Sequence, residues 1–177
     1  AAALAVAALR DAHPIVAAKT YPLGEGPDRI WVAGPEHSPR GAMVATALRG
    51  LDALLPPDGT LLAMPEGAGI NYWLRRRNPT PYALFLPPEL RAHGGADAML
   101  ARMRATPPDV VVLVHRGHAE FGTGPFLRDP AYGAAFLPWL REEYRAVSTI
   151  GAEPFQGPRF GITVLERIPV RAPEPAD

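Results

Sequence analysis

The sequence contains no cysteine. Disulfides, thiolate nucleophiles and the common sulfur-built zinc sites are therefore excluded. Both redox environments stay open, because a chain without cysteine tolerates either. An excess of one charge is also lacking: 18 Lys plus Arg balance 18 Asp plus Glu, and no long block of either sign occurs. A protein that tracks phosphates needs a basic stripe, so nucleic acid is not an expected partner. The sequence also lacks a run of the roughly 18–20 consecutive apolar residues that crosses a bilayer.

What is present is a folding composition. The 177 residues are 47% hydrophobic and 20% charged, near globular averages, and the length suits one domain. The unusual figures are 22 prolines and 17 glycines, which predict short elements divided by fixed turns. The chain opens on Ala1 to Leu9, wholly apolar, and then meets Arg10 and Asp11, as though a longer hydrophobic segment had been cut just upstream. No basic residue precedes this stretch, which argues against a secretion signal. Taken alone it reads as an Ala-rich helix over Ala2 to Ala12, stopped before His13-Pro14 because a residue preceding proline avoids the α region.

Farther on, Arg29 to Ala33 reads as a first strand closed by Gly34-Pro35. Ser38-Pro39 supplies an N-cap and a proline at the first helical position, and Val44, Ala47, Leu48, Leu51, Leu54 and Leu55 recur at helical spacing until Pro56-Pro57. Thr60 to Met64 is apolar without alternation, as in a strand covered on both faces. The same grammar returns when Asp97 offers to cap a helix carrying Met99, Leu100 and Met103, followed by Val110 to Val114, the most strand-like run in the chain. Asp129-Pro130 opens a helix through about Tyr144, with Pro138 kinking it or marking a fresh start. Ala146 to Ile150 and Phe160 to Ile168 read as closing strands, the latter alternating like an edge or hairpin partner.

This order predicts an α/β fold. The expectation is a single three-layer domain over residues 28–168, with a mostly parallel, Rossmann-like sheet of about five strands, helices on both faces and a C-terminal antiparallel edge. Residues 1–27 form an N-terminal helix and linker, and 169–177 a loose Pro-rich tail. Ligands of such sheets sit beyond the carboxyl ends of the strands, so the loops after Met64 and Val114 are the places to search.

Pro65-Glu66-Gly67-Ala68-Gly69-Ile70-Asn71 follows the first of these strands. It matches neither the dinucleotide fingerprint nor the Walker loop, and Glu66 would repel phosphate, which leaves a cation, a sugar hydroxyl or a backbone donor as its partner. Its glycines equally serve a plain strand-to-helix turn. Arg75-Arg76-Arg77 offers forked recognition of carboxylate or phosphate, yet three consecutive residues cannot all point one way, and cations also suit a helix C-terminus. His115-Arg116-Gly117-His118-Ala119-Glu120 places two imidazoles and a carboxylate after a buried strand. Its histidines are three apart rather than at the helical zinc spacing, so pocket lining or loop hydrogen bonding is preferred to metal. No serine sits in a nucleophile elbow. Glu66, Glu89 and Glu120 could converge for paired acid–base work of the kind glycoside chemistry needs.

Several phrases occur together in order: Met64-Pro65-Glu66-Gly67, Asn71 to Leu74, Arg77-Asn78-Pro79-Thr80-Pro81-Tyr82, Phe85-Leu86-Pro87-Pro88-Glu89, Pro107-Pro108-Asp109 through His115-Arg116, Glu120-Phe121-Gly122, and Arg159-Phe160-Gly161-Ile162. This series resembles the C-terminal extracytoplasmic domain of bacterial polytopic membrane glycosyltransferases related to protein O-mannosyltransferases and the aminoarabinose transferase, over roughly residues 28–168. The resemblance implies a parent polypeptide that transfers a sugar from a polyprenyl-phosphate carrier, with Ala1 to Leu9 the stub of its last membrane helix. It places this domain on the periplasmic or outer side of the bacterial cell membrane. Its partners would be the membrane portion of the same polypeptide and a polyprenyl-linked sugar or glycan acceptor. In that family the catalytic acids lie in a loop near the start of the membrane portion, which has no counterpart here, so the segment is expected to carry no catalytic residue, cofactor or metal. The resemblance makes Glu66, Asn71, Arg77, Asn78, Tyr82, Glu89, His115 and Glu120 the expected substrate-contacting set. Two alternatives stand beside it: a free-standing α/β enzyme acting on a sugar or phosphate ester through Glu66, His115 and Glu120, and a protein-interaction domain.

Overall fold

The structure is a computed structural model that describes residues 12–169. Of the expected N-terminal segment 1–27 and tail 169–177, residues 1–11 and 170–177 lie outside the described residues. Residues 12–17 are helical, so helical structure runs through His13-Pro14, where a stop was expected. Pro14 has no N–H, but its carbonyl still accepts from Ala18 N–H at 3.0 Å.

A small hairpin follows. β1 (Tyr21–Leu23) pairs antiparallel with β2 (Ile30–Val32), Tyr21 opposite Val32. The main sheet takes β3 (Leu61–Met64), β4 (Val110–Val114), β5 (Tyr144–Gly151) and β6 (Gly161–Arg167), in the order β3-β4-β6-β5. Between them run α1 (Arg40–Leu54), α2 (Ala68–Leu74), α3 (Pro87–Ala92), α4 (Ala96–Ala105) and α5 (Phe136–Glu143).

The five-stranded, mostly parallel sheet is thus corrected. Among the four strands of the main sheet only β3 and β4 pair in parallel, while β6 is antiparallel to both β4 and β5. The strand near residue 30 joins β1 in a separate sheet. Burial explains both outcomes. Ile30 and Trp31 are 46% and 53% exposed, so β2 lacks the two covered faces that an inner place in the main sheet requires. β6 is buried from Gly161 through Leu165, whereas β5 buries only Tyr144. The strand that is apolar on both sides takes the inner position, and the polar, bulged one, with its register shift between Ala146 and Ser148, takes the edge. A parallel neighbour also needs a crossover of a dozen or more residues, and the short connection after Gly151 can form only a hairpin.

Two cores flank the sheet. On one face α1 and α2 bring Ala47, Leu51, Leu55, Ile70 and Leu74 against Leu61, Ala63, Val110, Val112, Ile162 and Val164. On the other, α3, α4 and α5 join Phe85, Phe126, Tyr132, Phe136, Trp139 and Phe155 to Leu62, Met64, Val111, Leu113 and Leu165. Gly95 rather than Asp97 takes the N-cap position of α4, and Asp97 sits in the first turn, where its negative charge complements the positive end of the helix dipole. The helix expected from Asp129 to Tyr144 is two pieces: a 3-10 turn, Pro130–Tyr132, capped by the Asp129 side chain, and then α5. Pro138 falls in the first turn of α5, where its missing N–H forfeits no intrahelical bond.

At the amino end of β3 and β4, Asp109 Oδ2 accepts from Thr60 N–H (2.8 Å) and from Thr60 Oγ1 (2.6 Å), and Asp109 N–H donates to Thr60 Oγ1 (2.9 Å). At the carboxyl end, the loops after β3 and β4 leave side by side.

Candidate functional site

Parallel pairing puts Met64 opposite Leu113, so the segments beginning at Pro65 and His115 start as neighbours. A Cβ on Gly67 would lie 2.7 Å from Ala63 Cβ. Glycine there lets the chain turn tightly into α2 and leaves Glu66 at the rim. Residues 78–89 are drawn to the same place, because Phe85 N–H donates to the Pro65 carbonyl (2.8 Å) and Glu66 bridges Leu84. That delivers Glu89 in the first turn of α3.

The two loops meet at Arg116. Its Nε lies 3.0 Å from Glu66 Oε2, and its Nη2 pairs with Glu120. The guanidinium sits 5.8 Å from the centre of the Phe121 ring, which in turn packs edge-on against Tyr132 with ring centres 5.7 Å apart. The Tyr132 hydroxyl and Glu89 Oε2 are buried without a hydrogen-bond partner among the described residues. Burial pushes the Tyr132 phenol up to about 12; Arg116 opposes this, and Glu66, Glu120 and Glu89 add to it. One buried hydroxyl therefore feels three carboxylates and one guanidinium, a locally acidic site.

His118 Nδ1 lies 2.5 Å from the Thr123 carbonyl; it must donate, since a carbonyl only accepts. Asp129 accepts from Gly124 N–H and Ala131 N–H, and these two bonds hold its carboxyl below the usual carboxylate range. Gly133 has φ +81°, and a Cβ on it would meet the Phe126 ring at 2.7 Å, so the turn carrying Tyr132 closes only on glycine.

The remaining sequence-predicted residues lie elsewhere or are spent on the fold. Asn71 Nδ2 donates to the carbonyls of Leu61 (2.7 Å) and Arg76 (3.1 Å). Asn78 Nδ2 donates to the Tyr82 carbonyl (2.7 Å), while its Oδ1 accepts from Thr80 N–H and Oγ1. Tyr82 is in the core, its hydroxyl accepting from Arg102 (3.2 Å). The arginine triplet splits three ways: Arg75 pairs with Asp28, Arg76 donates to the Leu55 and Leu74 carbonyls and pairs with Asp52, and Arg77 is exposed. His115 stacks on Phe155, and its Nδ1 accepts from Phe155 N–H at 3.1 Å. Desolvation first, then the charges of Arg40 and His118, lower its pKa, so it works as a neutral acceptor that anchors the β5–β6 loop.

The structure thus brings together Glu66, Glu89 and Glu120 and adds three residues absent from the expected set: Arg116, Phe121 and Tyr132. Arg116 stood between the two histidines and was legible as a charge among candidate ligands. Tyr132 had no local signal. Among the described residues, no group of three or more His, Asp or Glu is placed to hold a metal ion, and no helix is long and apolar enough to cross a membrane. No family model matches the chain, and no curated protein or solved structure matches it.

Proposed function

We propose that the chain is an extracytoplasmic domain of a bacterial membrane glycosyltransferase. In this reading it recognises sugar hydroxyls at the joined carboxyl ends of β3 and β4 and leaves the transfer step to the membrane portion. The observation that carries the recognition part is the convergence of Glu66, Arg116 and Glu120. Paired carboxylate acceptors and a forked donor beside an aromatic face suit a ligand bearing vicinal hydroxyls and apolar C–H surface. Three carboxylates against one guanidinium repel a phosphate or carboxylate, so the sugar moiety, not a carrier phosphate, is the part engaged here. Glu66 and Glu120 share the Arg116 guanidinium. The assignment to a membrane glycosyltransferase rests on the ordered sequence phrases.

Two measurements test the two halves separately. In an amide NMR titration with neutral mono- and oligosaccharides, saturable shifts should centre on residues 65–67 and 116–123 and fall at least about tenfold in affinity in Arg116→Gln, a loss of about 1.4 kcal/mol. Shifts absent across the panel, or centred elsewhere, would sink the recognition site. The coding sequence upstream of Ala1 should specify several long apolar segments, and a cytosolic domain there would overturn the membrane assignment.

A further inference from the structure

A second site stands apart from the strand-end carboxylates. Between α5 and the β5–β6 connection lies a cleft of about 380 Å³, walled by Phe126, Leu127, Leu140, Phe155 and Leu165, in the size range of small-molecule sites. Arg128 and Arg141 also line it, and among the described residues neither is in an ion pair. The one carboxylate on the wall, Glu153, accepts from Gln156 at 3.2 Å.

The backbone of this cleft is unusual. Three non-glycine residues among those described have positive φ: Arg75, which closes α2, and Leu127 and Phe155, both at +66°. The last two are bulky, buried and on the walls of this one cleft. Left-handed backbone at such residues is costly and persists only where the surroundings impose it. Here Leu127 N–H is tied to the Tyr132 carbonyl (3.0 Å) and Phe155 N–H to His115 (3.1 Å). The strain keeps both apolar side chains lining the hollow and sets Arg128 on its wall.

We infer that this cleft binds a small apolar carboxylate, a ring or short alkyl body held against Leu137, Leu165 and the edge of Phe155 with its anionic head met by Arg128 and Arg141. A guanidinium matches a carboxylate in shape and charge, and a single head group on an apolar body uses both parts of the wall. The opposite charge preference of the strand-end site keeps the two ligands distinct.

Isothermal titration of the chain with phenylbutyrate, phenylbutyramide and acetate tests it. Phenylbutyrate should bind saturably and at least about tenfold more tightly than either the uncharged amide or the bare head group. The exposed pair Arg128→Gln/Arg141→Gln should remove that preference while keeping the thermal midpoint. Ala146→Trp, which fills the mouth from the exposed edge strand and leaves both arginines in place, should abolish binding. Equal affinity for phenylbutyrate and its amide, unchanged binding in the double variant, or amide shifts that avoid residues 126–128 and 153–156 would each overturn the inference.

Discussion

The two faces of the main sheet solve the same burial problem with different materials. The α1–α2 face is aliphatic, built from Leu, Ile, Val and Ala. The α3–α5 face is aromatic: Phe126 meets Tyr132, Phe136 and Phe155 with ring centres 5.1, 6.3 and 5.3 Å apart, and Trp139 meets Tyr144 at 5.0 Å. Aliphatic side chains on regular helices bring no polar atoms of their own, and the buried, unpartnered atom at that side among the described residues is Arg76 Nε, at the end of α2. Rings fill it with edges and gaps, and this face holds the buried, unpartnered Tyr132 hydroxyl and Trp139 Nε1. Both candidate sites border the aromatic face. The difference teaches that structural regularity and the two candidate sites are divided between the two sides of one sheet.

The sharpest break of this comparison is a pair of truncations. Phe126→Ala should cost ~3–5 kcal/mol and Leu51→Ala ~2–5 kcal/mol in urea unfolding. Only Phe126→Ala should also shift amide resonances in residues 116–123 and 153–156, because its ring touches the walls of both sites. Shifts of equal reach in Leu51→Ala would erase the distinction. Next in size is Asn71→Ala, expected to cost ~1–3 kcal/mol because it strips a donor from two backbone carbonyls in a part-buried position. Chemical denaturation reads it directly.

A smaller, pH-dependent effect belongs to His115. Its folded-state pKa is lowered, chiefly by desolvation, so the unfolded chain takes up the proton first. Its stabilisation is complete above its ordinary value of 6.5 and is lost as pH falls through the lowered value. The urea midpoint of the native chain should drop between pH 7 and pH 5 more than that of His115→Asn, whose amide oxygen can still accept from Phe155 N–H. Parallel curves would assign the acid loss to other groups. The least effect is expected at the edge: Arg145→Ala removes an exposed pair with Glu166 (2.7 Å) and should cost under ~1 kcal/mol, measured as a thermal shift.

The helical side of the comparison was legible because periodicity reports burial. Val44 through Leu55 announced the inner face of α1, although Leu54 is 38% exposed and off it. The apolar runs before Pro65 and His115 announced β3 and β4. Strand order was not legible. Whether β6 lies inside or outside β5 depends on which strand is covered on both faces, and the alternation read in Phe160, Ile162 and Val164 obscured a strand whose residues 161–165 are all buried. At the strand ends, side-chain chemistry marked Glu66 and Glu120 but could not say that Asn71 and Asn78 would be used up on backbone carbonyls. Amide side chains serve turns and ligands with the same atoms, so sequence alone gives them no address. Tyr132 joins Arg116 and Glu89 only through the tertiary fold.

The reciprocal bonds between Thr60 and Asp109 decide something the apolar strands cannot. β3 reads Leu-Leu-Ala-Met and β4 Val-Val-Val-Leu-Val, each buried on both faces along nearly its whole length. Sliding one past the other by a single residue would still set apolar side chains against apolar cores, so hydrophobicity carries almost no information about alignment. The hydroxyl and carboxylate find each other in one alignment and are orphaned in the next. They act as the index mark of the sheet, and they determine at its far end whether Glu66 and Arg116 arrive at the same height.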